Sequence, residues 1–194
     1  MGVMKDVRQN ETAMAGFAAL SDEVLSKTDG WTDGEVVDAM EHFFWGMRDG
    51  LSIELGALDG SPHTRSMTYE YEKSLSWRRI CVEGNPQFRN DFVKNSPLTF
   101  GVSAAICSSP SIVHFSPAGY VGGIVEFMSK PFMRNFHGTI YNACNPPGDV
   151  STLNFSAPAI AAIVKPVECI PLSHVLHKAH VKHVNYFILD VEVS

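Results

Sequence analysis

The chain is short of charge, and the charge it carries leans acidic. Only 19% of its 194 residues are Asp, Glu, Lys or Arg, and 15 basic side chains against 21 acidic ones leave a formal net charge of -6. Such a surface does not favour phosphate backbones, which excludes a nucleic-acid partner held by its phosphates but leaves small anionic or neutral substrates open. No stretch approaches the roughly 20 uncharged apolar residues of a membrane-spanning helix. The start, MGVMKDVRQNETAMAGFAAL, lacks a basic region followed by a continuous apolar run, so no signal peptide or targeting segment is expected. Without one, the sequons Asn10-Glu11-Thr12 and Asn154-Phe155-Ser156 carry little meaning. The four cysteines, Cys81, Cys107, Cys144 and Cys169, lie far apart with no CxxC pair, which argues against zinc and against a disulfide framework. Cys81 and Cys107 sit in apolar runs and read as small buried hydrophobes, with a reduced, cytoplasmic setting as the default. Also missing are a G-x-G-x-x-G turn, a G-x-S-x-G elbow and a lysine placed after Gly119–Gly123. Nicotinamide, hydrolase and P-loop chemistry therefore lack their usual signals.

What is present is a core. Hydrophobic residues make up 45% of the chain, with 12 Phe, 5 Tyr and 3 Trp, enough for a globular fold. Residues 1–49 read as an N-terminal helical segment. Met14, Phe17, Leu20, Val24 and Leu25 mark a helix over 12–27. Thr32 and Glu35 have capping-box spacing ahead of Val36, Val37, Met40, Phe43, Phe44 and Met47, and Asp49-Gly50 ends that second helix.

From residue 50 the period changes. Leu51–Leu55 reads as a strand, followed by a helix after Pro62 with Met67, Tyr71 and Leu75 on one face. Arg79–Glu83 is a second strand, Phe88 and Phe92 mark a short helix, and Thr99–Ile106 is a third strand rich in small and β-branched residues. This alternation predicts an α/β fold with a mostly parallel sheet and flanking helices. Residues 108–157 interrupt it with many prolines and glycines, an irregular excursion in which Gly123–Phe127 could hold a hairpin. Ala161–Ile170 then reads as a strand and Leu172–Ala179 as a helix. Val184–Val191 reads as a strand buried on both faces.

Three features converge on the carboxyl ends of these strands, where open α/β sheets bind ligands. The turn Glu54-Leu55-Gly56-Ala57-Leu58-Asp59-Gly60 follows the first strand directly, Glu83 ends the second, and Asp190 ends the last. Glycine in such a turn permits close backbone approach to a ligand, and an acidic side chain at the second strand end can accept both hydroxyl protons of a ribose. Together they favour a nucleoside-containing cofactor.

The run from Ile53 through Pro97, with its E-L-G-A-x-D-G turn, Thr68, Glu70 and Leu75 before Trp77, and Ile80-Cys81-Val82-Glu83 with Asn85-Pro86 and Phe88, resembles the FkbM family of methyltransferases. Ser103–Cys107, Cys169–Leu172 and Phe187–Glu192 resemble further parts of that family. The likeness covers roughly residues 50–107 and 162–192. It implies a Rossmann-like methyltransferase fold over 50–194, incomplete after strand four, and S-adenosyl-L-methionine as cofactor. It further implies that Glu54, Gly56, Ala57 and Gly60 line the methionine side, that Glu83 holds the ribose, and that Ser103, Ala104 and Ala105 border the adenine. Asp190 and Glu192 would face the reacting methyl or the acceptor, a small molecule or glycan, and Asp190 or a histidine of 108–157 would be the base. The sequence departs from the family where Val193 replaces an expected glycine, and the following strands are missing. The open edge of strand four is then expected to be covered by the helices before residue 50 or by a partner chain, or else to leave the fragment unstable. A catalytically inactive fragment or interaction module is the alternative reading.

His174, His177, His180 and His183 recur every third residue, but on a helix each is rotated about 60° from the last, so a solvated polar face is expected rather than a metal site. Trp31, Trp45 and Trp77 read as packing residues.

Overall fold

The computed structural model describes residues 36, 38–44, 47–61, 66–88, 91 and 99–191. The helix expected over 12–27, the Thr32/Glu35 cap, the helix start at Pro62, Trp31, Trp45, Phe92, Glu192 and Val193 lie outside the described residues.

The apolar run LSIEL becomes β1 (Leu51–Leu55), buried at all five positions because it has a strand on each side. Its start is pinned from both directions. Gly50 packs under Trp77 so tightly that a Cβ would lie 2.5 Å from the indole ring. The Trp77 indole N–H donates to the Met47 carbonyl at 2.7 Å. After the turn come α1 (Tyr69–Leu75) and β2 (Arg78–Glu83), then β3 (Thr99–Ser103). With β8 (Tyr186–Leu189) at the far end of the chain, these form a four-stranded parallel sheet in the order β3-β2-β1-β8. Asn185 extends the β8 pairing: its backbone N–H donates to the Leu51 carbonyl and its side-chain oxygen accepts from the Leu51 N–H, both at 2.9 Å.

Alternation along the strands separates two faces. Leu51, Ile53, Leu55, Ile80 and Val82 pack under Val175 of the helix that precedes β8. Burying each such side chain contributes about 1.5–3 kcal/mol. The opposite face carries Ser52, Glu54, Arg79 and the aromatic cluster of Phe44, Tyr71, Trp77 and Tyr186, whose ring centroids lie 4.9–6.0 Å apart.

The expected single strand over 99–106 is divided. β3 ends at Ser103, and β4 (Ala105–Ile106) belongs to a second sheet. The excursion supplies two of its four strands, β5 (Ser111–Ser116) and β6 (Gly123–Ile124), which are followed by the helices α2 (Lys130–Phe136) and α3 (Gly138–Ala143). The expected strand over 161–170 is instead α4 (Pro158–Ile163) followed by β7 (Lys165–Ile170), because Pro158 occupies a first-turn position where its missing N–H is harmless. The sheet order is β4-β7-β5-β6, with β4 parallel to β7 and the other pairs antiparallel. Met133, Ile140, Ile160 and Val164 give the helices over it their own core around Val125. The chain returns through α5 (Leu172–Lys178) to β8.

Two expectations need correction. Cys107 is not a buried thiol: pairing of β4 with β7 brings it beside Cys169, 62 positions away, and the two form a disulfide with Cα atoms 5.5 Å apart. β8 is not buried on both faces. Ile188 is buried, but Phe187 and Leu189 are 45% and 60% exposed, because α5 packs over β1 and β2 and leaves that side of β8 uncovered. Among the described residues no helix is long and apolar enough to cross a membrane.

Candidate cofactor site

At the carboxyl end of β1 the chain leans toward β2, with the Gly56 and Ala57 N–H groups both donating to the Val82 carbonyl at 2.9 and 3.3 Å. Gly56 has φ +88°, and a Cβ there would lie 1.8 Å from the Asp190 carbonyl oxygen. The Asp190 N–H donates in turn to the Leu55 carbonyl at 3.0 Å, so the end of β8 and the turn are locked together through backbone alone. Leu58 also has positive φ, +49°, a conformation that costs a non-glycine residue about 1 kcal/mol or more and persists only where neighbours hold it. The holder is Glu83.

Glu83 is buried at the end of β2 and accepts two backbone hydrogen bonds, from Leu58 N–H at 2.9 Å on one oxygen and from Asn85 N–H at 2.6 Å on the other. Burial pushes its carboxyl above the ordinary carboxylate range, and the backbone donors of Asn85, Leu58 and Gly84 offset part of that rise. A carboxylate offers about four acceptor positions, so Glu83 fixes the turn and still has room for a further hydroxyl donor.

Glu54 has a different part. Its buried carboxylate accepts from Ser66 Oγ at 2.7 Å, Met67 N–H at 2.8 Å, and Thr68 N–H and Oγ1 at 3.2 and 2.5 Å. Behind it lies Arg79, buried within β2. Its guanidinium approaches Glu54 at 3.6 Å and Glu72 at 3.4 Å, and donates to Thr68 Oγ1 at 2.8 Å, the Gly60 carbonyl at 3.1 Å and Ser66 Oγ. This network holds the segment entering α1 against the turn. Sequence reading passed over Arg79. The available signal was a basic residue four positions before Glu83 in the same strand, which puts both on one face.

These elements border one cavity of about 780 Å³, within the size range of small-molecule sites. Glu54, Gly56, Ala57, Glu83, Ala104, Ala105 and Asp190 all line it. Gly60 and Ser103 do not. The Gly60 carbonyl points into the Arg79 network, and Ser103 pairs with Glu83 in the sheet. Glu192 lies outside the described residues. The excursion adds Phe115, Tyr120, Ile124 and Phe127 to the lining, none of which sequence reading named as a site residue.

The histidines of the excursion are engaged elsewhere. His137 is buried between α2 and α3 (Nε2 to the Val121 carbonyl at 2.9 Å, Nδ1 to Ser116 Oγ at 3.0 Å), and burial lowers its pKa despite the carbonyl contact. His114 pairs with Glu126 at 2.7 Å and stacks on Phe155 with centroids 3.6 Å apart. Neither lines the cavity. Among the described residues no three His, Cys, Asp or Glu side chains group as metal ligands.

Comparison with protein-family models, curated proteins and solved structures finds no match to this chain.

Proposed function

We propose that the crevice binds S-adenosyl-L-methionine and that the chain is a methyltransferase acting on a hydroxyl oxygen of its acceptor. The observation that carries this reading is the convergence of the Glu54–Leu58 turn, Glu83, Ala104–Ala105 and Asp190 on one cavity from the ends of four strands. Its charge fits the group. The described lining residues include Glu54, Glu83 and Asp190 but no Lys or Arg, which suits a cofactor with a positive centre and disfavours a dinucleotide pyrophosphate.

When bound, the cofactor supplies an already activated methyl group. The work left to the chain is to hold, align and dry the reactants. Glu83, anchored by Leu58 and Asn85, would accept the ribose hydroxyls. Gly56 and Ala57 would leave room for the methionine portion, and Ala104 and Ala105 for the base. Asp190, exposed and at the cavity edge, would take the acceptor's hydroxyl proton.

A second reading, an interaction module that keeps the crevice without turnover, is favoured by exposed Phe187 and Leu189 on β8, a strand that pairs only with β1 among the described residues. Calorimetric titration with S-adenosylhomocysteine tests the first reading. Micromolar binding weakened tenfold or more by Glu83→Ala supports it. No binding by a chain shown to be folded refutes it and leaves the second.

A further inference from the structure

The cavity has two kinds of lining. Glu54, Glu83 and Asp190 are its carboxylates, and its large apolar side chains are Phe115, Ile124, Tyr120, Phe127, Leu189 and Val191. Those last four are among the large hydrophobic side chains that the fold leaves in solvent: Tyr120 is 69% exposed, Phe127 49% and Leu189 60%. They come from three separate segments, the Gly119–Val121 turn, the Val125–Phe127 turn and the end of β8, yet all four line the one cavity. Scattered exposed hydrophobes need no explanation; a contiguous set around a cavity marks a binding surface.

The chemistry of that wall also limits what it can hold. The described lining residues offer no cationic side chain for a phosphate or carboxylate. Of the three carboxylates, Glu54 is already occupied by backbone and hydroxyl donors and Glu83 is taken by the ribose in this reading, which leaves Asp190. A glycan presents hydroxyls on every side, and each would need a partner once out of water. This wall supplies few.

We infer that the acceptor is a neutral molecule with an apolar, ring-bearing body, seated against Tyr120, Phe127 and Leu189 and presenting a hydroxyl toward Asp190, rather than a glycan or a phosphorylated compound. The inference rests on the methyl-transfer reading and narrows its substrate class.

The test uses 2-naphthol as a neutral aromatic hydroxyl probe and maltose as a glycan probe, each titrated into the full chain with S-adenosylhomocysteine present. Variants are Tyr120→Ser and Phe127→Ser, with Phe136→Ser as an exposed control that does not line the cavity. The expected result is naphthol binding that each cavity variant weakens about tenfold and the control leaves unchanged, with maltose showing no saturable binding. The cofactor analogue should bind all the variants within about twofold of the parent. Normal cofactor binding combined with tighter maltose binding, or with naphthol binding indifferent to both variants, overturns this inference alone. Failure of S-adenosylhomocysteine to bind the folded parent chain overturns the methyl-transfer reading and the inference with it.

Discussion

Gly56 and the Asp190 carbonyl oxygen stand in van der Waals contact across the junction of β1 and β8, with no space for even a methyl group between them. The contact is backbone against backbone, so no side-chain rotation can relieve an intruding atom. Gly56→Ala must displace the end of β8 and also strain a residue at φ +88°. We expect it to destabilise the fold by at least about 2 kcal/mol and to weaken S-adenosylhomocysteine binding beyond detection. Urea denaturation and calorimetry on the same preparation check both.

Arg79 places one positive charge between two buried carboxylates, Glu54 and Glu72. Arg79→Met removes it, taking from Glu54 the guanidinium at 3.6 Å and from Glu72 the one at 3.4 Å. Loss of one member of such a buried set typically costs about 3–5 kcal/mol, and that is the expected drop in unfolding free energy. A drop below about 1 kcal/mol in a urea melt would mean that Ser66 and Thr68 suffice to hold Glu54.

The Glu83 carboxyl is shifted upward by burial, and this gives a pH signature of defined sign. Its folded pKa lies above the unfolded one, so its favourable linkage to folding is complete at acid pH and declines as pH rises through the folded value. Cofactor binding runs the other way, since the ionised carboxylate is the better acceptor for hydroxyl protons. S-adenosylhomocysteine affinity should therefore fall as pH is lowered, with a midpoint above 4.5, and Glu83→Gln should flatten the profile. An unchanged profile in that variant would remove Glu83 from the ribose role.

Of the four cysteines, Cys81 and Cys144 are free and buried, while Cys107 and Cys169 are bonded. Thiol titration of the unfolded, unreduced chain should thus count two thiols, and four after reduction. Cys107→Ser should lower stability by about 2–4 kcal/mol under oxidising conditions and have little effect in reductant. Four thiols without reduction would refute the bond.

The parallel sheet was legible because its evidence is local. Leu51–Leu55 and Ile80–Val82 are short, largely apolar runs followed by turn residues, and the glycine turn and Glu83 sit next to the strands that position them. What escaped depends on partners distant in sequence. β8 is as apolar as β1, and only the placement of α5 decides that Phe187 and Leu189 face solvent. Cys107 meets Cys169 only through the β4–β7 pairing. Residues 108–157 look irregular because their strands and helices are short and interrupted by proline, and each is stabilised by packing on the others rather than by its own periodicity.

The division of the 99–106 run at Ala104 makes the two sheets one structure. A single residue separates the last pairing in the parallel sheet from the first in the other, and Ala104 and Ala105 both line the cavity. The segment from 108 to 157 is therefore not ornament that could be trimmed to reveal a smaller complete fold. Cutting it out would strip β7 of its longer neighbour and remove one bank of the channel, leaving the glycine turn facing open water.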